Sequence, residues 1–190
     1  MYVRLKKDTK WSILKLGSFK TSNIKKELIK YKDEWELDTS RQENNAVHSP
    51  TKQYKLLFTS YYWEQGDEIN PELINTLKTK KAIEELEIIF KQIENYYNGI
   101  IVRSEIIKML PNSKIFKHVD GGTLLHYGRR CHIPIVTHPD ITFTVFNNSL
   151  HMEESGWYEI NNTLPHSVSN PTDIERIHLI VDVLPKDMIK

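Results

Sequence analysis

Cysteine is nearly missing from this chain: Cys131 is the only one in 190 residues. No intramolecular disulfide is possible, which fits a reducing compartment. Long apolar runs are missing too. None approaches the ~20 residues needed to span a bilayer, and Met1-Tyr2-Val3-Arg4-Leu5-Lys6-Lys7 has no apolar signal-peptide core. The expectation is a cytoplasmic protein with no membrane partner. Nor is there an excess of charge of one sign. Lys and Arg number 26 against 25 Asp and Glu, which makes no case for nucleic acid as a partner. The basic run Arg4-Leu5-Lys6-Lys7 and the pair Lys25-Lys26 read as solvated faces. Internal repeats and low-complexity linkers are absent, so residues 1–190 are expected to form a single domain with a substantial core.

What is present divides into a helix-rich part, 1–99, and a strand-rich part, about 100–184. Ser22 or Asn23 can cap a helix whose apolar set is Ile24, Leu28, Ile29 and Tyr31. Residues 37–50 are polar and end in Ser49-Pro50, which reads as a loop. Gln53 to Ser60 reads as a strand, and Pro71-Glu72 as a helix start. A stronger helix runs from about Lys80 to Tyr97. Ile83, Leu86, Ile89 or Phe90, Ile93 and Tyr97 recur at helical spacing, and Asn98-Gly99 stops it. Strands then follow at about 100–109, 114–120, 129–136, 141–146, 156–160, 165–169 and 174–184, separated by Asn-, Gly- and Pro-bearing breaks. This pattern predicts a mainly β, α+β fold: a jelly roll, the cupin-like double-stranded β-helix, with helices on an outer face.

The chemistry concentrates in three residues. His118 and Asp120 flank Val119 on a strand, so both side chains point to one face. His166 follows 48 positions later and must come from a neighbouring strand. Two imidazoles and a carboxylate on one face of a metal ion leave the opposite positions open, as in non-haem Fe(II) oxygenases. His-x-Asp alone is common, and Asp120-Gly121-Gly122 is a good turn signal in its own right. Two further strands shift the balance. Arg176-Ile177-His178 lies ten residues past His166, with Ile177, Leu179 and Val181 on the opposite face. Arg130-Cys131-His132 repeats the pattern, with Cys131 and Ile133 opposite. A buried Arg is costly unless an anion meets it, and its fork matches a carboxylate. His126 could line a pocket mouth or a loop, His138 and His151 read as turn or loop residues, and Trp157 and Tyr158 as core.

On these motifs the chain resembles the aspartyl/asparaginyl β-hydroxylase family of 2-oxoglutarate- and Fe(II)-dependent oxygenases. The match rests on His118-Val119-Asp120, Arg130-Cys131-His132-Ile133-Pro134, His166-Ser167-Val168 and Arg176-Ile177-His178-Leu179. A weaker likeness runs upstream through Trp35, Arg41-Gln42, His48 and Thr51. The resemblance implies that His118, Asp120 and His166 hold Fe(II), that Arg176 and His132 hold 2-oxoglutarate, and that Arg130 meets substrate. It implies O2 as co-reactant and hydroxylation of an aliphatic C–H in an Asp- or Asn-like residue, or in a free amino acid such as proline. Some relatives lack the carboxylate ligand; this chain keeps it as Asp120, which also argues against a halogenase. The alternative reading is a cupin-like metal-binding protein with different or no oxygenase chemistry.

Overall fold

The computed structural model describes residues 11–32, 46–60, 63–64 and 67–189. Among the described residues, eleven strands form two antiparallel sheets. The larger is ordered β1-β9-β6-β11-β4-β2-β3, from Ile13–Ser18 (β1), Gly156–Ile160 (β9), Arg129–Val136 (β6), Arg176–Pro185 (β11), Gly99–Met109 (β4), Thr51–Phe58 (β2) and Glu72–Leu73 (β3). The smaller is ordered β5-β10-β7-β8, from Ser113–His118 (β5), His166–Asn170 (β10), Thr142–Val145 (β7) and Asn148–Leu150 (β8).

Alternation decides what each face does. On β11 the residues Ile177, Leu179, Val181 and Val183 point outward and meet Cys131, Ile133 and Ile135 of β6 under the helices. Arg176, His178, Ile180 and Asp182 belong to the opposite face, which looks toward the small sheet. That inner space is closed by Met109, Ile115, Phe143, Val145, Tyr158, Ile160 and Val168. Two helices cover the outer face: α1 (Ser22–Lys30) and α2 (Lys80–Tyr97). α2 buries Ala82, Leu86, Ile89 and Ile93 and ends at Asn98, whose φ of 45° is left-handed. Gly99 follows because a Cβ there would come within 2.7 Å of the Leu184 carbonyl oxygen.

The structure differs from the sequence reading at six places. The strand expected at 114–120 stops at His118, so Asp120 lies in the turn beyond it rather than on the strand face. Residues Thr123–Tyr127 form a short helix where none was expected. β1 joins the large sheet from a segment to which no element was assigned. Pro71-Glu72 does not start a helix; Glu72 and Leu73 pair with Phe58 and Leu57 at the sheet edge. β8 forms a hairpin with β7 through Phe146, which takes up a φ of 53°. In α1, Ile29 is 60% exposed and Glu27 is buried in its place. The readings of Arg4 to Lys7, Trp35 and Arg41-Gln42, and most of the loop 37–50, lie outside the described residues. Among the described residues no helix is long and apolar enough to cross a membrane.

Candidate active site

His118 ends β5 and His166 begins β10, and the two are register partners. Sequence separation disappears at this point, and the rings stand 4.3 Å apart between centroids. Asp120 lies two residues past the end of β5, ahead of the turn at Gly122, whose φ of 99° demands glycine. One ligand atom from each of His118, Asp120 and His166 lies within 4.8 Å of the others. Asp120 Oδ1 is 3.9 Å from His118 Nε2 and 3.7 Å from His166 Nε2.

The backbone selects which nitrogens face inward. His118 Nδ1 donates to the Phe116 carbonyl at 2.7 Å, and His166 Nδ1 donates to the Leu164 carbonyl at 3.0 Å. A carbonyl only accepts, so each neutral ring carries its proton on Nδ1 and turns an Nε2 lone pair toward Asp120. Burial first, opposed by Asp120, sets His166 below the ordinary imidazole range, which favours the neutral, ligating form. Burial alone would raise the Asp120 carboxyl. The Arg130 cation, the largest of the opposing charges, holds Asp120 well below the usual range. The donor set, two imidazoles and one ionised carboxylate, suits a divalent transition metal.

A second feature lies alongside. Arg176 is 3% exposed, and the only side chain hydrogen-bonded to it among the described residues is His178, whose Nδ1 accepts from Nη2 at 2.8 Å. Burial pulls the Arg176 pKa down, to about 9, with no carboxylate opposing it. Its guanidinium lies over the Phe143 ring, 5.5 Å from the centroid. Phe143 stacks on His166 with centroids 6.3 Å apart and also meets His132 at 5.1 Å. Both ring nitrogens of His132, and Nε2 of His178, are buried without a hydrogen-bond partner. Burial, then the Arg176 cation, drives both rings toward the neutral form. A buried cation beside unpartnered imidazole nitrogens suits an anionic ligand.

Arg130 occupies the third corner. Its Nη1 donates to Asp120 Oδ2 at 2.6 Å. Its Nε and Nη2 both donate to Asp182, each at 2.8 Å. The structure thus brings all six singled-out residues into the space between the two sheets, and it adds two that sequence reasoning missed. Asp182 is the next inward residue after Arg176, His178 and Ile180, so strand alternation could have found it. Phe143 had no signal, because an aromatic on a core strand is ordinarily core. Of the remaining histidines, His126 lies exposed on a short helix, α3 (Thr123–Tyr127). His48 sets its ring edge-on to His118, with centroids 5.0 Å apart.

The sequence matches the family described as Aspartyl/Asparaginyl beta-hydroxylase over residues 18–185. The chain belongs to this family. No curated protein matches the sequence. Among solved structures, the chain is similar to an oxidoreductase of the 2OG-Fe(II) oxygenase family from Burkholderia pseudomallei, with 15% identity and a TM-score of 0.51. That match covers 71% of this chain and 66% of the other, so the chain spans just under two thirds of that protein's length. It is also similar to a viral collagen prolyl hydroxylase from Paramecium Bursaria Chlorella virus-1, solved with 2OG, at 9% identity and a TM-score of 0.54 over 92% and 96% of the two chains. A non-heme monooxygenase, ThoJ, in a nickel complex aligns at 8% identity and a TM-score of 0.55 over 92% and 74%. At these identities the likeness establishes the jelly-roll fold of this family member.

Proposed function

We propose that this hydroxylase-family chain binds Fe(II) through His118, Asp120 and His166 and 2-oxoglutarate through Arg176 and His132, and hydroxylates an aliphatic C–H. The observation that carries this is the uncompensated Arg176, joined through Phe143 to the three-residue cluster. A structural arginine on a central strand would have a carboxylate partner, as Arg130 has in Asp182. Arg176 has an imidazole instead, and a dicarboxylate supplies the missing charge from outside.

The residues divide the work. His118 and His166 offer preset lone pairs, because their Nδ1–H groups are tied to the backbone. Arg176 takes the far carboxylate as a fork, and His178 holds that fork in place through Nδ1. His132 provides a hydrogen-bonding ring nitrogen between Arg176 and the three-residue cluster. Met109 and Ile107, the register partners of Arg176 and His178, keep water from competing for the charge. When bound, iron and 2-oxoglutarate supply oxygen activation, giving succinate, carbon dioxide and one oxygen atom for the substrate.

For the substrate we propose an Asp- or Asn-like residue of a peptide or a free amino acid such as proline, with carboxylate-bearing substrates favoured, and we place the chain in the cytoplasm. Arg130 retains N–H groups beyond those given to Asp120 and Asp182, and these can meet a substrate carboxylate. Two measurements test the proposal. Anaerobic Fe(II) protein should develop a weak visible charge-transfer band with 2-oxoglutarate. A mass-shift screen of amino acids and peptides should find a gain of one oxygen. Absence of the band in folded, iron-loaded protein would rule out the cosubstrate site.

A further inference from the structure

We infer that Arg130, gripped by Asp182, is a positioning residue that makes Asp120 a ligand through one oxygen only. The inference rests on the proposed metal reading of His118, Asp120 and His166. Asp120 stands outside any strand, so no sheet hydrogen bonds hold its backbone. A carboxylate so placed is free to turn. Presented edge-on, it would offer both oxygens to a cation and take a second position that cosubstrate or oxygen requires.

The geometry prevents this. Arg130 and Asp182 are register partners on β6 and β11, at the centre of the large sheet. Asp182 is 2% exposed and holds the guanidinium from two sides, through Nε and Nη2. That leaves Nη1 aimed across the interior, where it takes Asp120 Oδ2 at 2.6 Å. The free oxygen, Oδ1, is the one facing the His118 and His166 Nε2 atoms. The two oxygens of Asp120 are therefore assigned before any ion arrives.

The second carboxylate has a reason in charge. An Arg130–Asp120 pair alone would be neutral and would weaken the hold on a dication. With Asp182 included, two carboxylates face one guanidinium, and the group keeps a net negative charge. Asp182 thus both fixes the direction of Arg130 and returns the charge that Arg130 removes from the ligand.

The test is a titration with Co(II) alone, reading the dissociation constant and the visible absorption of the bound ion. The proteins are wild type, Asp182→Asn, Arg130→Lys, Asp120→Ala and the double variant Asp120→Ala/Asp182→Asn, with folding followed by circular dichroism. Asp182→Asn, nearly isosteric, should weaken Co(II) roughly tenfold or more and change its spectrum. Arg130→Lys should do the same, because an ammonium cannot hold both carboxylates in the fork geometry. In the Asp120→Ala background, Asp182→Asn should add nothing. Unchanged affinity and spectrum in folded Asp182→Asn and Arg130→Lys would overturn the inference. So would an equal loss with and without Asp120, since the effect would then not pass through that ligand. Should Asp182→Asn not fold, Arg130→Lys in the two backgrounds carries the same comparison. Wild type that binds no Co(II) would overturn the metal reading itself, a result distinct from either of these.

Discussion

His118→Ala and His166→Ala should each abolish hydroxylation and remove most of the metal affinity. Two remaining ligands cannot hold an ion in a fixed facial geometry. Metal content after dialysis, beside turnover, checks this, and near-normal values in either variant would refute the ligand assignment. Arg176→Ala should leave metal binding largely intact and raise the 2-oxoglutarate dissociation constant sharply. Loss of a charge-assisted contact to a buried carboxylate is worth roughly 2–5 kcal/mol. Arg176→Lys should recover only part, because an ammonium does not reproduce the fork. Calorimetric titration of 2-oxoglutarate into metal-loaded protein decides it; equal constants would make Arg176 a structural residue. These positions were legible in the sequence because a period of two fixes which side chains share a face. His178 shares a face with Arg176 by the same alternation. The Arg130–Asp182–Asp120 arrangement was not. It needs β6 and β11 side by side and the small sheet opposite, and no local pattern reports that.

At the scale of elements, the two helices hold each other's ends. Glu85 of α2 accepts from the backbone N–H groups of Asn23 and Ile24, at 2.8 and 3.1 Å, in the first turn of α1. Glu27 of α1 accepts from the Thr79 N–H and hydroxyl, at 2.8 and 2.5 Å, and from the Lys78 N–H, at the start of α2. Each helix thus borrows an acidic cap from its neighbour, where the macrodipole favours negative charge. Neither helix's own N-cap side chain makes a capping hydrogen bond. Glu85→Ala should therefore destabilise the protein by about 1–3 kcal/mol, since it leaves first-turn donors unsatisfied in a buried setting. Glu27→Ala should cost a similar amount, and urea denaturation measures both. A change under ~0.5 kcal/mol would mean that water replaces the caps. The length of α2 and its stop at Asn98-Gly99 could be read from periodicity and turn chemistry. The borrowed caps could not, because the partners lie 61 and 62 residues apart for one cap and 51 and 52 for the other. The same kind of tertiary contact turned Pro71-Glu72 from an expected helix start into an edge strand: pairing with β2 outweighed the local preference.

For the whole molecule, the proposed metal and cosubstrate sites link ligand binding to stability. Burial of Arg176 without an anion costs stability, and ligands that bind only the folded state restore it. Metal and 2-oxoglutarate together should raise the melting temperature, with a stabilisation of about 2.7 kcal/mol for a ligand at a hundred times its dissociation constant. The increment due to 2-oxoglutarate should vanish in Arg176→Ala while the increment due to metal remains. A thermal-shift series with metal, with 2-oxoglutarate and with both checks this. A 2-oxoglutarate increment that survives in Arg176→Ala would place the cosubstrate elsewhere.

The sequence by itself determined the jelly roll, its strands from β4 to β11 apart from β8, and the three candidate ligands with their two Arg-x-His companions. It could do so because alternation, turn residues and helical spacing are local; the strand expected to run to residue 120 ends at His118, and Asp120 reaches the same site from the turn that follows. Tertiary structure alone decided which opposed residues meet: His118 beside His166, Asp182 behind Arg130, Phe143 beneath Arg176, and each helix end against the other helix's glutamate. Those pairings depend on how two sheets and two helices stack, and stacking is set by the whole core rather than by any short stretch of chain.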